Sequence, residues 1–306
     1  MSLARLLEGV SDIDGETAIG LQDYTEPIMH GGFPGMASRS DRVQRSQLAG
    51  YVNRIVDRDF LEASQKVRSP QSLRRWMTAY AAAPGPTTSL EKIGDAATAG
   101  DGKVPARSTT NTYREVLERT WIADPLPRYS PTMSRLNRLS TSPKWFLTDP
   151  ALAVSLLDVT AEKLPAVGRG SVFVPSNGTL LGALFESLIA LDLRGYAQAL
   201  EASGAHLRMK TGDHEIDFLV EGSDGQTLAI EVKLTQMPPE RDVRHLLWLK
   251  AELGHNLADM VVLTIGTKAY RRKDGVAVVP VAPLGPRRGL RYESGFVDAS
   301  TCAVRR

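Results

Sequence analysis

Cysteine is almost absent: the chain has one, Cys302, close to its end. A single thiol excludes an internal disulfide and any cysteine-based zinc cluster, and at this position it reads as an inert tail residue. No apolar run is long enough to span a bilayer, and Met1-Ser2-Leu3-Ala4-Arg5 is not followed by the apolar stretch of a secretion signal. The expectation is therefore a cytoplasmic protein with no membrane partner. Excess charge is small, +2 over 306 residues, so only a local basic patch could select a nucleic acid. There is no internal repeat and no low-complexity tract. No GxxxxGK[ST] loop occurs, and no apolar strand ends in paired acids, so no ATP site is expected; Gly100-Asp101-Gly102-Lys103-Val104 has neither the spacing nor the Ser/Thr. Nothing resembles a nucleophile elbow. Of the five histidines, His245 and His255 are ten apart, which fits no recurrent metal spacing. His30 and His206 read as structural, and His214, just before Asp217, either as a solvated turn residue or as one that approaches a phosphate.

What is present is a foldable soluble composition, 42% apolar and 24% charged. The length predicts two compact units. The spacing predicts a helix over 43–62 with Val43, Leu48, Tyr51, Val52, Ile55 and Val56 on its apolar stripe. Three shorter helices follow: Gln71 to Ala83, stopped by Pro84-Gly85-Pro86; Ser89 to Ala97; and Ser108 to Thr120. Trp121–Leu126 and Trp145-Phe146-Leu147 read as strands. Three helices and then strands describe a winged helix-turn-helix, with Arg107, Asn111 and Arg114 at the start of its third helix as candidate nucleic-acid contacts. Glu115 and Glu118 on that helix weigh against a strong DNA face. Arg74, Arg75, Arg128, Arg135 and Arg138 could extend a phosphate-contacting strip.

From about 142 the pattern changes. A helix over 178–195 precedes strands at 205–211, 214–221 and 227–234, divided by turns at Gly212-Asp213 and Gly222–Gly225. A helix at 239–253 and strands at 259–265 and 275–282 complete an α/β sandwich with a mixed central sheet. In the third of these strands Leu228, Ile230, Val232 and Leu234 form one apolar face, so Glu231 and Lys233 share the other. Asp217 lies on the preceding strand. Glu186 is the only ionisable side chain between Thr179 and Asp192, where a carboxylate is costly unless something meets it. Asp217, Glu231 and Glu186 are therefore candidate ligands for Mg²⁺ or Mn²⁺. Lys233 would orient water or offset charge on a phosphate, and the four together are the candidate catalytic set. Glu215 shares a face with Asp217 and reads either as a further ligand or as an exposed strand carboxylate.

Six short segments in order resemble a known family. They are Gly31-Gly32-Phe33-Pro34; Tyr51-Val52 running on to Arg58-Asp59; Ser142-Pro143-Lys144-Trp145-Phe146-Leu147-Thr148-Asp149; Gly182 to Glu186; Glu215-Ile216-Asp217-Phe218; and Ile230-Glu231-Val232-Lys233. They resemble the C-terminal region of prokaryotic AAA-family ATPases, which carry a domain of unknown function with a PD-(D/E)xK nuclease-like core.

The resemblance implies a restriction-endonuclease-like domain over 142–285. Before it would lie a helical segment over 1–65, resembling the ATPase lid or linker, and a winged-helix-like domain over 66–141. A basic tail would occupy 286–306. The ATPase module itself is not found in this sequence, and the chain is expected to begin after it. The expected function is metal-dependent DNA binding or processing, as a Mg²⁺-dependent deoxyribonuclease. DNA is the expected partner, with a separate ATPase or a second copy as further candidates. Two rivals stand beside this: a non-catalytic DNA- or protein-binding module, and a truncated ATPase relative without independent activity.

Overall fold

The computed structural model describes residues 1–36, 39–63, 69–82, 90–97, 107–129, 143–161, 164 and 180–286. Arg135, Arg138, the Gly100–Lys103 loop and the tail from 287 lie outside them.

The first half is helical. After α1 (Leu3–Leu7) and α2 (Leu21–His30), the helix expected over 43–62 divides into α3 (Asp41–Arg54), a π-helical turn at Ile55–Asp59, and α4 (Phe60–Ala63). Arg54 spans the turn to Asp59 at 3.2 Å. The three shorter helices are α5 (Pro70–Ala81), α6 (Leu90–Ala97) and α7 (Arg107–Arg119). Sequence dictates where α5 starts: Ser69 Oγ accepts the Ser72 amide, and Pro70 fills a first-turn position that needs no donor.

β1 (Ala123–Leu126) and β2 (Lys144–Leu147) form a two-stranded antiparallel ribbon with Asp124 opposite Phe146. The strand expected from Trp121 begins two residues later, because Trp121 adopts φ 59, a left-handed turn after α7. α8 (Pro150–Leu157) follows, capped by Asp149, whose Oδ1 accepts the Ala151 amide at 2.8 Å.

The second half is α9 (Leu180–Ala199), β3 (Ser203–Arg208), β4 (Glu215–Glu221), β5 (Thr227–Lys233), α10 (Glu240–Leu253), β6 (Leu257–Thr264), β7 (Tyr270–Arg271) and β8 (Ala277–Pro280). The six strands form one mixed sheet in the order β3-β4-β5-β6-β8-β7. β5, β6 and β8 run parallel, while β3-β4-β5 and β7-β8 are antiparallel. β3 ends at Arg208, short of the expected 211, because Met209 and Gly212 (φ +78) close the hairpin turn. The short β7 has no sequence counterpart; it forms because Arg272–Gly275 folds back and returns residues 270–271 to the edge of β8.

The sheet is covered on both faces. On one side Phe218, Ile230 and Val261 join an apolar cluster with Phe185 of α9, and this cluster continues through Phe146, Trp76, Tyr24 and Leu3 of the first half. On the other, Ile216, Leu219, Ala229 and Val262 pack against Leu246 and Leu249 of α10.

Candidate active site

The site forms where β4 and β5 part. Their ladder includes Phe218 opposite Ile230. One residue further on each strand stand Asp217 and Glu231. There the Val232 amide donates to the Asp217 side chain, at 3.0 Å, while β5 stays paired with β6 as far as Lys233 opposite Thr264. β4 is also bulged at this point: from Leu219 to Ile216 it takes three steps while β3 takes two, from Ala205 to Leu207. An extra residue re-aims the side chains around it. Ile216 accordingly packs in the α10 cluster and Phe218 in the α9 cluster, although strict alternation would put both on one face.

Five charged side chains alternate in sign across this gap. Glu186 Oε1 of α9 is 2.5 Å from the Lys144 ammonium of β2, which is 3.0 Å from Asp217 Oδ1. Asp217 Oδ2 lies 3.5 Å from the Lys233 ammonium, which is 2.5 Å from Glu231 Oε2. Lys144 and Glu231 are almost fully enclosed, with side chains 3% and 4% exposed, while Lys233 opens to solvent at 30%. Glu231 Oε1 is buried and has no hydrogen-bond partner among the described residues. Glu215 is an outer member, 3.9 Å from both Lys144 and Arg208.

The structure thus brings Asp217, Glu231 and Lys233 together, and Glu186 faces them through Lys144. Apolar side chains alone would be a poor setting for Glu186 or Lys144, but each meets the other.

Electrostatics follow from the alternation. Burial opposes ionisation of Asp217, but Lys144, Lys233 and the Val232 amide outweigh it and hold the carboxyl well below the usual range. Burial also disfavours the charged lysines, and the surrounding carboxylates reverse this, so both ammonium groups stay protonated. Neither can act as a proton acceptor. Burial pushes Glu186 up to about 7 against the pull of Lys144, and Glu231 rises through burial and then the neighbouring Asp217 charge.

A histidine pair flanks the site. His214 stacks on Trp248 with ring centroids 4.0 Å apart, and its Nδ1 lies 3.2 Å from His245 Nδ1. Arg244 Nε donates to His245 Nε2, which must therefore be unprotonated, so the His245 proton sits on Nδ1 and points to His214. Burial, then Arg244, His214 and Lys233, lower the His245 pKa.

The candidate nucleic-acid residues are differently placed. Arg107 is exposed at the start of α7, and Asn111 is half-buried. Arg114 is held within the fold, 3.2 Å from Glu118 and 5.5 Å above the Trp145 ring. Arg74 donates to Asn53 Oδ1.

The sequence reading does not anticipate the place of Lys144 in the site or the pairing of His214 with His245. Lys144 sits in the four-residue strand KWFL, all buried, and a lysine among apolar neighbours is itself a sign that carboxylates must meet it. His214 and His245 are 31 residues apart, and no spacing rule would join them. Asp149, ending the segment that begins at Ser142, ties down the Gly31-Gly32 segment: its Oδ2 accepts the Gly32 amide at 2.8 Å.

Comparison with known families finds two matches. Residues 21–163 match a domain of unknown function, DUF8612. Residues 181–284 match another, DUF4143. The latter is commonly found in AAA-ATPase-associated proteins, and its match spans Glu186, Asp217, Glu231 and Lys233, while Lys144 falls in the former. No curated protein and no solved structure matches the chain. Among the described residues, no helix is long and apolar enough to cross a membrane.

Proposed function

We propose that this chain is a metal-dependent DNA-processing protein related to AAA-family ATPases. In this reading the six-stranded sheet is a restriction-endonuclease-like PD-(D/E)xK core, and α5, α6, α7 and the β1-β2 ribbon are a winged-helix-like module. The observation that carries the reading is the convergence of Asp217, Glu231 and Lys233 where β4 and β5 part, with Glu231 Oε1 buried and unpartnered. Among the described residues no group of three or more Asp, Glu, His or Cys side chains stands ready to hold a metal; the ion would rest on two buried carboxylates with an open oxygen, hard donors suited to Mg²⁺ or Mn²⁺. Asp217 and Glu231 would hold the ion, which when bound supplies a water of lowered pKa and charge to offset that of the phosphate. Lys233, kept protonated and partly exposed, would present a fixed positive charge to the phosphate. Arg107 and Asn111 would contact the DNA backbone.

A second reading, a nuclease fold serving as a non-catalytic binding scaffold, is favoured by one observation: Lys144 already neutralises the Glu186 side of the site. Thermal unfolding in millimolar Mg²⁺ or Mn²⁺ against chelator separates the two. The first reading expects a cation-dependent rise in midpoint, since a ligand bound only by the native state stabilises it, and loss of that rise in Glu231→Ala. No rise in the wild-type protein favours the scaffold.

A further inference from the structure

We infer that Lys144 is a resident cation of this site, holding the place between Glu186 and Asp217 that a divalent ion would otherwise compete for, and so limiting how tightly the site binds metal. The inference rests on the reading of Asp217 and Glu231 as metal ligands.

Three observations support it. The Lys144 ammonium touches both carboxylates, at 2.5 Å and 3.0 Å, with Glu215 3.9 Å away, so it stands inside a ring of three acids. It is also nearly sealed from solvent, 3% exposed, and lies 5.8 Å from the face of Phe218. A lysine there is no surface counter-ion that swings away. Finally, it comes from β2, outside the six-stranded sheet that carries Asp217 and Glu231. The acids of the sheet and α9 are thus neutralised by a strand of the preceding half, and the site is complete only when both are in place.

Charge bears this out. Glu186, Asp217 and Glu231 against Lys144 and Lys233 leave a single negative charge if all are ionised. Without Lys144 the same site would carry two, and Asp217 Oδ1 would lose its nearest cation. Like charges a few ångströms apart in a poorly solvated site repel strongly, so an ion reaching Asp217 meets the ammonium first. Glu231 Oε1 is the buried carboxylate oxygen of this pair without a hydrogen-bond partner among the described residues.

Mn²⁺ affinity, measured by calorimetry and by electron paramagnetic resonance of the free ion, tests this. Lys144→Met is expected to bind Mn²⁺ at least tenfold more tightly than the wild-type protein. Removing one partner of a buried ion pair can prevent folding, so Lys144→Met/Glu186→Gln is measured beside it. That variant leaves the net charge of the site at its wild-type value and is expected to fold, so a gain in affinity reports the release of Asp217 Oδ1 from the ammonium alone; it too is expected to bind more tightly than wild type. Lys268→Met, which removes an exposed lysine paired with Glu16, leaves the affinity unchanged. Wild-type affinity in both Lys144 variants that fold, or in the double variant if the single one does not, overturns the inference. Tight Mn²⁺ binding gained by these variants, in a protein whose wild-type form cuts no DNA, upholds it while the catalytic reading fails.

Discussion

Replacing Gly31 with alanine should destabilise the protein far more than the same change at Gly32. Gly31 ends α2 at φ 71 and ψ 178, a region of backbone space that is nearly glycine-only. A non-glycine residue there costs about 1–3 kcal/mol. The new Cβ would also lie 2.5 Å from Asp149 Oδ1 and 2.7 Å from Oδ2. A side-chain end can often move aside, but this one is pinned: Asp149 is 5% exposed and accepts the amides of Gly32 and Ala151, both at 2.8 Å. Displacing it would weaken charge-assisted hydrogen bonds worth about 1.5–3 kcal/mol and uncap α8. The sum is about 2.5–6 kcal/mol, a large part of a typical domain's stability. A Cβ at Gly32 meets Asp149 Oδ2 only at 3.8 Å, an ordinary contact, and should cost no more than about 1 kcal/mol. Urea unfolding followed by circular dichroism gives both values. Equal costs for the two variants would refute the account of the Asp149 latch.

Three further outcomes are expected. Burial raises the Asp192 carboxyl to about 7 from its ordinary value of 3.8; the folded state therefore binds the proton more tightly, and stability from this group is full below pH ~4 and lost as pH rises through ~7. Asp192→Asn should flatten that decline and raise the unfolding midpoint near pH ~8, and an unchanged pH profile would count against it. If α7 grips DNA, Arg107→Ala should weaken binding to all sequences alike and reduce the salt dependence by about one counterion, whereas Arg114→Ala, already committed to Glu118 and Trp145, should act on stability instead; the reverse pattern, read by fluorescence anisotropy across a salt series, would move the contact. Calorimetric titration with ATP should show no saturable Mg²⁺-dependent binding, because no glycine-rich loop of the chain supplies the lysine and Ser/Thr that hold phosphates.

Much of the second half could be read directly. Alternation in Leu228–Leu234 put Glu231 and Lys233 on one face, and the apolar surroundings of Glu186 marked it as needing a partner; both hold in the structure. The helical first half and mixed sheet likewise follow from periodicity. The bulge in β4 was hidden, because Ile216, Phe218 and Val220 alternate as an unbroken strand would, and only the pairing with β3 reveals the extra residue. Lys144, between Pro143 and Trp145 in an apolar strand, carries the same demand for a partner as Glu186. The charge argument applied to Glu186 would have demanded a cation, and Lys144 supplies it. Long-range pairs such as His214 with His245 depend on the β4–α10 packing, which local pattern does not encode.

The central claim is that Asp217, Glu231 and Lys233 form a metal-dependent phosphodiester-cleaving site. Its most direct test is nicking of supercoiled, linear and single-stranded DNA by the full chain in Mg²⁺ or Mn²⁺, beside Glu231→Ala. The account predicts cation-dependent cleavage of at least one DNA form that disappears in chelator and in the variant. Cleavage that survives in Glu231→Ala, or none on any form with either ion, would contradict it.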